Sequence, residues 1–176
     1  MRLSRILVPV MALCLLAGCH EQDAGKINYD MGERVTIGPL TYVVVETAWR
    51  TQLGELFQLR VPQQRFFLIT LSVTNGGGSD VSVPLLQLES PKGQTYQELE
   101  DGTGVNNWMG LFRNVAPAQT EQGRILFDVP LTSFKLRLPD VSDTGYDKYA
   151  WVSIPLRIDA DQVQSTPLPG GGELLK

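Results

Sequence analysis

Histidine and cysteine are nearly missing from this chain: one His and two Cys stand among 176 residues. The single histidine, His20, sits close to the amino end. The rest of the chain therefore cannot assemble a Ser-His-Asp or Cys-His nucleophile, nor a zinc site of the His or Cys type. No Gly-x-Ser-x-Gly is present, and Gly102-x-Gly104 has Asn107 where a dinucleotide loop needs its third glycine. No catalytic residue, cofactor site or metal site is expected. A surplus of positive charge is also lacking, with 15 Lys and Arg against 19 Asp and Glu. Nucleic acid and anionic membrane surfaces are thereby unsuited as partners. Two groups of acids, Glu98-Glu100-Asp101 and Asp140-Asp143-Asp147, lack the spacing of a calcium loop and read as solvated turn carboxylates. Long apolar runs are absent as well. Ile6 to Leu16 is uncharged for 11 residues, which as a helix spans roughly 16 Å against a bilayer core of about 30 Å.

What stands at the amino end is a targeting segment. Arg2 and Arg5 precede the apolar run, and the small residues Ala17 and Gly18 follow it. Leu16-Ala17-Gly18-Cys19 resembles the bacterial lipobox. The resemblance implies cleavage before Cys19, a diacylglycerol thioether on its sulfur, and anchoring to a membrane; the alternative is an ordinary signal peptide cut beside a cysteine. His20 stands where the Gram-negative inner-membrane retention signal has Asp. That resemblance points to the periplasmic face of the outer membrane, or to the cell membrane in a Gram-positive host. Removal of residues 1–18 takes two arginines from a chain of net charge −4, leaving 158 residues at −6. With Cys14 lost and Cys19 acylated, no internal disulfide is possible, so stability rests on one hydrophobic core.

Residues 19–32 read as a polar tether, 33–158 as a folded domain, and 159–176 as a disordered tail rich in Pro and Gly. Inside the domain the hydrophobic period is two. Phe67, Ile69, Leu71 and Val73 alternate with Thr70, Ser72 and Thr74. The same holds for Ile125 to Val129, Phe134 to Leu138, and Val152 to Ile158, while Leu40 to Trp49 is a β-branched and aromatic run. Turn residues separate these runs, and no amphipathic helix stands out. The pattern predicts an all-β fold, an antiparallel β-sandwich with one wet face per strand. Pro84 and Pro155 belong at edges or strand ends.

The order of these motifs resembles a bacterial domain-of-unknown-function family whose fold is shared with a secreted mycobacterial immunoprotective antigen. Gly32-Glu33-Arg34-Val35-Thr36-Ile37-Gly38 opens the domain. A long strand ends in Asn75-Gly76. Leu86 to Glu89 leads through Pro91-Lys92-Gly93 to Tyr96, and Phe127-Asp128-Val129-Pro130 closes a late strand. Ala116-Pro117-Ala118 departs from the Pro-Gly turn usual there. The resemblance implies an immunoglobulin-like sandwich; it brings no settled activity and no catalytic residues.

The candidate contact surface is Val105 to Phe112, where Trp108, Met109, Leu111 and Phe112 follow a glycine-containing loop. Large apolar residues of these types are enriched at interfaces, and sandwich loops often bind; the same residues would equally serve to cover the core. Trp49 and Trp151 read as core. Three classes of function remain open: a lipid-anchored interaction module holding an envelope protein or a small apolar or glycan ligand, a structural or stress-related envelope lipoprotein without ligand, and a hydrolase.

Overall fold

A computed structural model describes residues 27–55, 58–145 and 148–157. The signal segment, Cys19, most of the tether and the tail lie outside them. The described residues form eleven strands: β1 (Asn28–Asp30), β2 (Arg34–Ile37), β3 (Leu40–Arg50), β4 (Phe66–Asn75), β5 (Val81–Ser82), β6 (Gln87–Glu89), β7 (Thr95–Gln97), β8 (Asn114–Val115), β9 (Thr120–Asp128), β10 (Phe134–Pro139) and β11 (Tyr149–Ile154). One sheet has the order β1-β11-β10-β6-β7 and the other β2-β3-β4-β9, with β5 and β8 paired as a short side ribbon. No helix occurs among the described residues. The fold is an immunoglobulin-like antiparallel β-sandwich in which one pair, β1 with β11, is parallel.

The core forms because the inward register positions are large and apolar. Tyr42, Phe67, Ile69, Leu71, Ile125, Phe127 and Leu136 are each at most 1% exposed. Trp49 and Phe67, directly opposite across β3 and β4, stack with ring centroids 4.2 Å apart. Tyr96 meets Phe134 edge-on at 5.8 Å. The alternation of β3 is interrupted by a bulge between Val44 and Glu46, which turns Val45 outward. Leu40, Tyr42 and Val44 before the bulge, and Trp49 after it, can then all face the core.

Four sequence expectations are corrected. Asn28–Asp30, placed in the tether, pairs with β11 and buries Tyr29, so the domain begins earlier; one tyrosine between polar residues carries little periodic signal. β11 stops at Ile154, because Pro155 has no N–H to continue the ladder and Leu156 is exposed. Trp151 turns to the outer face, half-buried beside Tyr149, whose ring it meets at 5.4 Å. Lastly, β4 is buried on both faces: Phe66 and Leu68 join Leu53 and Leu126 in a second, smaller cluster. The outer face of that sheet is covered at one end by the loops after β3 and after β7, which meet where Arg60 Nη1 donates to the Asp101 carbonyl at 2.6 Å.

Candidate functional site

The covering segment after β7 holds all four predicted contact residues. The Glu98 N–H donates to the Leu86 carbonyl, just before β6, at 3.0 Å. Leu99 N–H donates to the Leu126 carbonyl at 2.7 Å. The chain then crosses the outer cluster and returns as Asn107 to Met109 along the free edge of β9. Arg124 N–H donates to the Asn107 carbonyl at 2.8 Å, and Met109 N–H to the Arg124 carbonyl at 3.0 Å. Those bonds close part of an edge that would otherwise offer unpaired backbone to another chain.

Two glycines explain where the large side chains lie. The Trp108 ring rests on Gly102, where an added Cβ would fall 2.0 Å from Trp108 Cδ2. Met109 lies on Gly123, where an added Cβ would fall 2.5 Å from Met109 Cγ. Trp108 and Met109 are thus half-buried supports. The Trp108 Nε1 is buried without a hydrogen-bond partner among the described residues. Gly110 then adopts φ +77°, a turn that only glycine makes without strain. Beyond it, Leu111 is 40% exposed and Phe112 is 96% exposed. The four residues are brought together in one loop, but only these two face solvent.

Sequence reasoning missed what holds the loop. Arg113 is buried inside the sandwich and ion-paired with buried Glu98. Its Nε donates to the Gly110 carbonyl at 2.7 Å, and its own carbonyl accepts from Val83 N–H at 2.8 Å. Glu98 Oε2 accepts from Leu86 N–H at 3.1 Å. Glu98 was read as a solvated turn carboxylate; its place in an acidic group with Glu100 and Asp101 gives no sign of burial. Desolvation pushes its carboxyl above the ordinary value, with Arg113 and the Leu86 N–H pulling it partway back. Tyr42 faces the same polar interior: burial pushes its phenol well upward, Arg113 opposes this, and Asp140 adds to it. Asp140 is also buried, its Oδ1 accepting from the Ser142 N–H at 2.9 Å. Asp101 is held low by Thr103, whose hydroxyl and N–H both donate to Oδ1. Asp147 and Cys19 lie outside the described residues. Among those described, no three His, Cys, Asp or Glu side chains are placed to share a metal ion.

The family motifs now have structural reasons. Asn75 is fully buried at the end of β4, its amide donating to the carbonyls of Ser79 and Val115, its Oδ1 accepting from Gly77 N–H. The sequence pattern of a family described as Domain of unknown function (DUF4352) matches residues 29–150. The chain belongs to the DUF4352 family. No curated protein matches this DUF4352 chain significantly. Among solved structures, the yjhA protein of Bacillus subtilis is similar at 13% identity and TM-score 0.55, over 72% of this chain and 98% of that one. The secreted protein MPT63 of Mycobacterium tuberculosis is similar at 17% identity and TM-score 0.52, over 75% and 98%. The ycdA protein of Bacillus subtilis, a candidate lipoprotein, is similar at 12% identity and TM-score 0.52, over 70% of this chain and 38% of its own. At these identities the likeness is one of fold, and the DUF4352 description itself carries no activity.

Proposed function

We propose that this chain is a non-enzymatic binding module of the bacterial cell envelope, lipid-anchored through Cys19, which grips an envelope protein through Leu111 and Phe112. The observation that carries the reading is Phe112, 96% exposed at the tip of a loop held on both sides. Met109 is bonded to β9 on one side, and the buried Arg113 ties down Gly110 on the other. Burying a charged pair adds little to stability, because desolvation offsets most of the attraction. Here that pair fixes a loop whose exposed apolar tip contributes nothing to the core. Covering a Phe is worth about 1.5–3 kcal/mol, or very roughly ten- to a hundredfold in affinity. A held loop loses little conformational entropy on binding. The anchor is supported by Leu16-Ala17-Gly18-Cys19. A secreted protein and a candidate lipoprotein with this fold support an extracytoplasmic location. The test is a photo-crosslinking residue at position 112 in intact cells, with Val61, 70% exposed, as control position. A discrete adduct from 112 and none from 61 is expected; the same pattern from both positions would overturn the reading.

A further inference from the structure

A concave site lies away from this loop. A cleft of about 490 Å³ opens where β1, β10 and β11 meet the β6–β7 turn. That is the size of a small-molecule site. Its apolar lining includes Met31 and Phe134, and its rim carries Asp30, Glu89, Lys135 and Arg157. Sheet register explains the arrangement. Asp30 is opposite Ser153, Ser153 opposite Lys135, and Lys135 opposite Glu89, so one row crosses four strands as acid, hydroxyl, base, acid. Among the described residues none of the four charged side chains is in an ion pair, although both signs are present. Two acids and two bases sum to no net charge, so the cleft fits neither a polyanion nor a polycation.

We propose that this cleft binds a short peptide of about three residues with free termini and a basic carboxy-terminal side chain. Strands are about 4.8 Å apart, which sets Asp30 and Lys135, two strands apart, roughly 10 Å from each other. An extended tripeptide spans about 10 Å at roughly 3.3–3.6 Å per residue. Its ammonium end then meets Asp30, and its carboxylate meets Lys135 and Arg157. A basic side chain on the last residue reaches Glu89, one strand beyond Lys135, and the middle residue covers Met31. The cleft does not depend on the Leu111–Phe112 loop. Calorimetric titration of the full mature chain in detergent with Ala-Leu-Lys tests it, beside N-acetylated, C-amidated Ala-Leu-Lys. Saturable binding of the free peptide is expected, at least tenfold weaker for the blocked one. D30N and K135M should each weaken it at least fivefold, and F112A should leave it unchanged. Equal binding of both peptides, no heat at millimolar peptide, or indifference to D30N and K135M would each overturn the site.

Discussion

Two phenylalanines in this chain live under opposite conditions, and substitution should separate them. Phe127 is fully buried in the sandwich, whereas Phe112 is almost entirely in water. Truncating a buried Phe to Ala costs about 3–5 kcal/mol, most of an ordinary domain's margin. Phe127→Ala should lower Tm by about 6–20 °C, at roughly 2–4 °C per kcal/mol in a domain of this size. Phe112→Ala should leave the melting curve where it is; equal losses would show that Phe112 packs in solution. Glu98 gives a second test at this scale. Its folded-state pKa is raised above the ordinary 4.5, chiefly by desolvation. Its contribution to stability is then fully present below that ordinary value and is lost as pH rises through the folded one. The stability of the native chain relative to Glu98→Gln should therefore rise as pH falls from neutral toward 4.5. Denaturant unfolding of both across that range measures it, and a difference independent of pH would mean the carboxyl stays ionised.

Turns and strands show where sequence is legible and where it is not. The Ala116-Pro117-Ala118 departure turns out to be a tight turn, with Gln119 N–H donating to the Ala116 carbonyl at 3.0 Å and Ala118 at φ +59°. This is the backbone for which glycine is suited, since left-handed geometry costs an L-residue roughly 1–2 kcal/mol. Glycine gives back about 0.4–1 kcal/mol through unfolded-state freedom. Ala118→Gly should thus stabilise the domain by about 0.5–1 kcal/mol, read from the denaturation midpoint at unchanged m-value. Strands β4, β9, β10 and β11 were legible from the period of two on their core-facing side, although Phe66, Leu68 and Leu126 are also buried on the other side, and β3 from its β-branched and aromatic run. β1 and β8 were not, being two or three residues long and held by neighbours distant in sequence. The burial of Arg113 and Glu98 was equally hidden, because it depends on which loop folds over which edge. Leu111 and Phe112 could be picked out as large apolar residues, but their separation from Trp108 and Met109 depended on Gly102 and Gly123 offering open backbone to cover.

At the scale of the whole molecule, the proposed anchor at Cys19 is separable from the sandwich, because it precedes the first strand in sequence. Cys19→Ser should release the chain from membranes into the soluble fraction while leaving the melting temperature of the domain unchanged. Retention in the membrane after a high-salt wash would remove the lipid from the account. The parallel pairing of β1 with β11 bears on the same junction. Because these strands run in one direction, the chain enters β1 at the opposite end from where it leaves β11. Were the chain anchored at Cys19 as proposed, a pull between its amino-terminal and carboxy-terminal sides would load these hydrogen bonds lengthwise. They must slip together, whereas bonds in a peeled hairpin would yield one after another. Under such a pull, the strand that sequence reading left in the tether would act as a mechanical clasp on β11.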